Sequence, residues 1–130
     1  MKKSFRTVVA GVVITASLGF SGAAFPAQAQ VTGLRFYEDD DFKGEVKSYY
    51  ATQWYLWEWN HWASSVRNSD DVAWVLYDDW DYADRRFCLR SGEEVKRLGD
   101  EQWRFNDKTS SIRRLSTNSC AGYPAFYSIS

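Results

Sequence analysis

Two eleven-residue segments of this chain repeat one another. Trp57-Glu58-Trp59-Asn60-His61-Trp62-Ala63-Ser64-Ser65-Val66-Arg67 returns 46 positions later as Trp103-Arg104-Phe105-Asn106-Asp107-Lys108-Thr109-Ser110-Ser111-Ile112-Arg113. The shared pattern is Trp-x-aromatic-Asn-x-x-x-Ser-Ser-aliphatic-Arg. A repeat of this kind in a short chain implies one structural unit used twice, with the two halves packed together. Locally, Asn and Ser side chains bond their own backbone and favour turns. Val66 and Ile112 then open β-prone stretches. The loop presents hydroxyls, an amide and free carbonyls, the hard oxygen ligands that Ca²⁺ takes. The same residues also serve as a capped turn repeated for packing alone.

A second pair of segments repeats with a different offset. Tyr37-x-x-x-x-Phe42-x-Gly44 matches Tyr77-x-x-x-x-Tyr82-x-Asp84, 40 positions apart. Around these, Leu34 to Glu38 reads as a strand, Asp39 to Asp41 as a turn and Glu45 to Tyr50 as the return strand. Val72 to Tyr77, Asp78 to Asp81 and Arg85 to Arg90 repeat that order. The offset grows from 40 to 46, so the second unit carries about six extra residues, placed on this reading around Ser91 to Lys96. Short β-prone runs punctuated by Gly and Asp outcompete any helical periodicity, with room for one short helical turn between Thr52 and Trp59. Each unit reads hairpin, connection, polar loop, strand. The expected fold is all-β, a sandwich of two Greek-key motifs.

The amino terminus has a separate role. Lys2, Lys3 and Arg6 precede an apolar run from Val8 to Phe20, and Ala27-Gln28-Ala29 is a small-x-small cleavage signal. Residues 1–29 therefore read as a secretory signal peptide, too short in its apolar run for a membrane span. Their removal takes three of the 16 basic residues and none of the 17 acidic ones, so 13 against 17 leaves a net charge of −4. An acidic mature chain argues against nucleic acid as a partner. Export places Cys88 and Cys120 in an oxidising compartment, where the two pair without ambiguity if they pair within the chain. Zinc has too few ligands here, with His61 the only His. No nucleophile, base and orienting group stand in a readable set, so the chain is not expected to be an enzyme. Trp54, Trp57 and Trp59 are expected in the core, with a sugar-binding surface as the less favoured reading. Arg67, Arg113 and Arg114 are expected to pair with the acidic hairpin tips.

The aromatic hairpin followed by the Asn-x-x-x-Ser-Ser loop, twice in that order, resembles the signature pair of the βγ-crystallin superfamily. The resemblance covers residues 31–117, as two units of about 31–70 and 71–117, followed by a tail, 118–130, tied by Cys120. It implies a βγ-crystallin-like sandwich and calcium clamps. The polar loop would give a carbonyl from Trp62 and a hydroxyl from Ser64 in the first copy, and the same from Lys108 and Ser110 in the second. Carbonyls of Glu38 and Asp78, each from the hairpin of the opposite unit, would complete the clamps. Asp107 would serve the neighbouring site. Two positions depart from the pattern. His61 replaces an Asp or Asn, and neutral imidazole is a poor calcium ligand. Asp84 replaces the hairpin Gly, which implies a distorted second hairpin. One good Ca²⁺ site, containing Ser64 and Asp107, and one weak site follow. The implied function is a secreted, monomeric, calcium-stabilised module. The alternative is a secreted metalloprotease inhibitor, or a killer-toxin-like antimicrobial protein, on the same scaffold, since bacterial inhibitors of that kind resemble it too. Its partner would be an extracellular protease.

Overall fold

A computed structural model describes residues 33–128, so the expected signal peptide lies outside the described residues. Seven strands run in chain order: β1 (Leu34–Asp39), β2 (Lys43–Tyr49), β3 (Ser65–Asn68), β4 (Trp74–Tyr77), β5 (Arg86–Leu89), β6 (Glu94–Val95) and β7 (Ser111–Arg114). Short 3₁₀ turns form at Asp40–Phe42 and Trp57–Trp59. The second of these occupies the stretch where a helical turn was allowed for. The strands make two sheets, ordered β2-β1-β3-β6 and β5-β4-β7, with antiparallel pairing throughout.

Each unit completes an edge of the other unit's sheet. Strand β6 belongs to the second repeat but pairs with β3 of the first, Val66 opposite Val95. In return Gln53 of the first repeat bridges Ile112 in β7, with Gln53 N–H to Ile112 O and Ile112 N–H to Gln53 O both at 2.9 Å. The same exchange locates the extra residues of the second unit. Leu56 N–H donates to Ser110 O at 3.0 Å, and Leu98 N–H donates to Ser64 O at 2.9 Å. Leu56 and Leu98 are thus equivalent at an offset of 42. About two of the six residues precede β6, and the rest lie between Leu98 and Trp103, further along the chain than the sequence reading placed them.

Alternation along the strands builds the core. Leu34 and Phe36 of β1, Val66 of β3, Trp74 and Leu76 of β4, Leu89 of β5 and Ile112 of β7 meet between the sheets, all fully buried. All four residues of β4 are buried, which one sandwich face cannot explain. The segment after residue 117 supplies the second cover. Cys120 pairs with Cys88 across 5.7 Å between Cα atoms, and Val75, Tyr77 and Tyr123 pack around the bridge. Cys88 N–H donates to Pro124 O and Phe126 N–H donates to Cys88 O, a parallel bridge beside β5. Phe126 ends in the main core, stacked on Phe87 with centroids 5.0 Å apart. The domain therefore runs past residue 117, and what reads as a tail is an integral layer.

The repeat is kept at the level of single backbone torsions. Asp41 and Phe42 have φ of 58° and 62°, and Asp81 and Tyr82 have 57° and 59°. Gly44 at 80° is matched by Asp84 at 69°, so the second hairpin keeps the left-handed geometry despite carrying a Cβ. The expected distortion does not occur. Asp is among the few residues that enter this region at modest cost, and the Arg86 guanidinium donates to the Asp84 carbonyl at 3.0 and 3.2 Å. At Gly44 itself the left-handed torsion is what favours Gly, and an added Cβ would also crowd the Asp39 carboxylate at 2.8 Å.

The second Ser of each Ser-Ser pair locks its hairpin. Ser65 Oγ donates to Asp39 O at 2.6 Å and accepts from Phe42 N–H at 3.1 Å. Ser111 Oγ donates to Asp79 O at 2.6 Å and accepts from Tyr82 N–H at 3.0 Å. Both serines are fully buried. The repeated Arg has its reason here too: the Arg67 guanidinium covers Phe42 at 3.8 Å and Arg113 covers Tyr82 at 4.5 Å. Their carboxylate partners differ from those expected, with Arg67 on Glu94 and Arg114 on Asp70. Ser111→Ala strands two backbone groups at once, and at about 1–3 kcal/mol for a buried group left unsatisfied the variant should unfold at clearly lower urea. An unchanged urea midpoint would remove the lock from the account.

Candidate metal centre

The two polar loops clasp each other across the pseudo-twofold. His61 N–H donates to Thr109 O and Asp107 N–H donates to Ala63 O, both at 2.9 Å. His61 and Asp107 share a left-handed backbone, with φ of 61° and 54°. Each loop thereby hands its second residue to the neighbourhood of the other loop's serine. Ser64 and Ser110 are in turn anchored to their own unit's hairpin, by Ser64 N–H to Tyr37 O at 2.9 Å and Ser110 N–H to Tyr77 O at 2.8 Å. The hairpin beside each serine is that of its own unit, whereas the resemblance implied the opposite one. The residue that crosses over is Asp107 or His61.

Two clefts result, built on equivalent positions. The first, of about 710 Å³, is lined by Asp39, Asp40, Ser64, Arg97, Asp100 and Asn106 among others. Asp107 lies close to its edge, its carboxylate near the Ser64 side chain and within the field of Asp40. Asp107 is an exposed residue, yet its carboxyl is pushed up from its ordinary range, first by desolvation at this contact and then by the charge of Asp40. Arg97 stands at the mouth, paired with Asp41 at 3.4 Å. That pair is exposed and weak, so it leaves the Asp40–Asp107 repulsion in place.

The second cleft, of about 450 Å³, puts Asp79 where the first has Asp39, Ser110 where it has Ser64 and Asn60 where it has Asn106. Trp80 replaces Asp40, and His61 replaces Asp107. The Ser110 hydroxyl donates to Asn60 Oδ1, and the Asp79 carboxylate accepts from Trp80 N–H at 2.8 Å. One cradle is acidic. Its twin is aromatic and internally satisfied.

The remaining expected ligands sit around these clefts in different ways. Glu38 and Asp78 turn their carboxylates to their own hairpins, Glu38 accepting from Glu45 N–H at 3.3 Å and Asp78 pairing with Arg85 at 3.0 Å. The resemblance asks only for their carbonyls. Trp62 and Lys108 enter the expected set through their carbonyls as well, with the Trp62 ring 5.0 Å from that of Trp59. Among the described residues no three His, Cys, Asp or Glu side chains gather into a metal cluster. The set the resemblance implies is one of carbonyls, a hydroxyl and a single carboxylate, hard oxygens suited to Ca²⁺ and poor for zinc. Sequence reasoning did not reach Asp39 and Asp40 as lining residues, nor the hairpin lock of Ser65 and Ser111. The doubled Ser-Ser was the signal for the lock.

No family model matches the sequence, and no curated protein matches it. The structure does have solved counterparts. A βγ-crystallin from Ciona intestinalis superposes with a TM-score of 0.56 at 20% identity, over 63% of this chain and 98% of that one. A βγ-crystallin from an archaeon gives 0.57 at 20% identity, over 66% and 100%. A βγ-crystallin domain from Clostridium beijerinckii gives 0.54 at 21% identity, over 65% and 99%. With the crossed edge pairing and the paired hairpin locks, these matches show that the described residues adopt the βγ-crystallin fold.

Proposed function

We infer that this protein is a secreted, non-enzymatic binding module that takes one Ca²⁺ in the acidic cleft. The observation that carries this reading is the cleft lined by Ser64 and the Asp39–Asp40 tip, with the Asp107 carboxylate close by. Carboxylates held together by a rigid scaffold repel, and a hard divalent cation removes that repulsion. Asp107 and Ser64, with the carbonyls of Glu38 and Trp62, would hold the ion. The set around Asp78, Lys108 and Ser110 would not, because Ser110 is already bonded to Asn60 and Trp80 has displaced an acid. Binding to the folded state alone would raise stability with calcium concentration, by about 2.7 kcal/mol at one hundred times Kd.

Calorimetric titration should therefore give one Ca²⁺ per chain, and calcium in place of chelator should raise Tm by several degrees. Ser64→Ala and Asp107→Ala should each abolish that rise, and Ser110→Ala should keep it. Two bound ions, or equal sensitivity to Ser110→Ala, would overturn the single-site assignment. A wild-type Tm indifferent to calcium would sink the reading altogether.

A further inference from the structure

The aromatic cleft is a site in its own right. Trp54, Trp57 and Trp80, expected in the core or at a turn, are instead 46%, 60% and 56% exposed around it, while Trp59 is buried. Leaving three indoles in water at one place forgoes the burial that the fold gives Trp59, Trp74 and Trp103, and such patches mark binding surfaces. Their mutual packing is definite: the Trp54 centroid lies 5.8 Å from Trp57, nearly perpendicular, and 5.9 Å from Trp80, tilted by 57°. Backbone bonds hold the arrangement, since Asp81 N–H donates to Trp54 O at 2.8 Å. The platform is preformed.

The chemistry around the rings narrows the ligand. Asn60, His61, Asp79 and Ser110 line the same cleft, so amide, imidazole, carboxylate and hydroxyl groups stand beside indole faces. Asp79 in the lining and the neighbouring Glu58 and Asp81 make the surroundings acidic, which disfavours anionic ligands. Rings whose centroids lie under 6 Å apart already touch, leaving no interval between them to enclose an ammonium ion. A pyranose fits both features: its C–H face lies on an indole while its hydroxyls meet planar amide and carboxylate groups. The cleft volume of about 450 Å³ falls in the range of small-molecule sites.

We propose that this cleft binds neutral pyranose units of a polysaccharide, with Trp57 and Trp80 as stacking platforms and Asn60 and Asp79 as hydroxyl ligands. The site is independent of the calcium cleft, from which it differs by the replacement of Asp40 by Trp80 and Asp107 by His61. The test is tryptophan fluorescence and calorimetry on the full mature chain against neutral oligosaccharides: cello-, laminari-, manno-, xylo- and chito-hexaoses. Saturable binding of at least one is expected, weakened tenfold or more by Trp57→Ala and by Trp80→Ala. Both positions are exposed, so the variants should keep the wild-type Tm, which is measured alongside. Chelator and Ser64→Ala should leave sugar binding unchanged, so failure of the calcium reading would not touch this one. No binding to any of the sugars at millimolar concentration would overturn the proposal. So would binding that survives both Trp substitutions, or a response only to tetramethylammonium or phosphocholine vesicles.

Discussion

Asp70→Ala should lower the unfolding free energy by about 2–4 kcal/mol, somewhat less than for a fully buried pair because one partner is half exposed. Asp70 is 4% exposed and gathers four donors: Trp74 Nε1 at 2.9 Å, Arg114 at 2.7 and 3.1 Å, and Asp71 N–H at 2.7 Å. Removing it strands the buried Trp74 N–H in the core, whereas Arg114 can turn to water. These bonds, led by that from Arg114, hold the Asp70 carboxyl below its ordinary value of 3.8. A depressed carboxylate stabilises the fold fully above its unfolded pKa, and that contribution is lost as pH falls through the folded one. Urea unfolding of the wild type should therefore weaken below about pH 4. In Asp70→Asn the acid limb should be shallower, at a lower plateau. Identical acid limbs would assign the acid sensitivity elsewhere.

Loss of the disulfide has an effect of similar size by a different route. The bridge closes a loop of 32 residues, and the chain-entropy model gives about 3–4 kcal/mol for that length. For a domain of this size such a loss lowers Tm by roughly 12–30 °C. Cys88→Ala with Cys120→Ala should show it in thermal unfolding. The bridge also holds the layer over the outer face of β4, so limited proteolysis of the double variant should cut after residue 117 before the sandwich opens. A double variant with the wild-type Tm and the wild-type cleavage pattern would contradict this account of the C-terminal layer.

The repeats made the fold legible because they carry backbone requirements. The hairpin aromatics, Gly44 and the Ser-Ser pairs each mark a torsion or a hydrogen bond that recurs in space. The disulfide was legible because two cysteines leave no choice of partner. The exposure of Trp54 and Trp57 was not legible, since an indole in a connecting segment is buried or bare according to what the other unit places beside it. The C-terminal layer was hidden for a related reason: a parallel bridge to β5 leaves no periodicity in a short segment rich in turn residues. At the site, the nearness of Asp107 to Ser64 followed from the resemblance at the loops. The partner hairpin did not, because sequence order does not say which hairpin lies under which loop.

The crossing of the connecting segments between the units has a consequence for how the two halves can diverge. Trp54 and Tyr55 belong to the first repeat but line the cleft beside Ser110. Arg97, Gly99 and Asp100 belong to the second, yet line the cleft beside Ser64. A length change or substitution in the connecting segment of one repeat therefore remodels the site of the other and spares its own. Gly99 and Asp100, among the extra residues between Leu98 and Trp103, line the acidic cleft of the first half, and Trp54 and Trp57 of the shorter first connection join Trp80 on the aromatic surface of the second. Specialisation in such a duplicated chain is inherited crosswise.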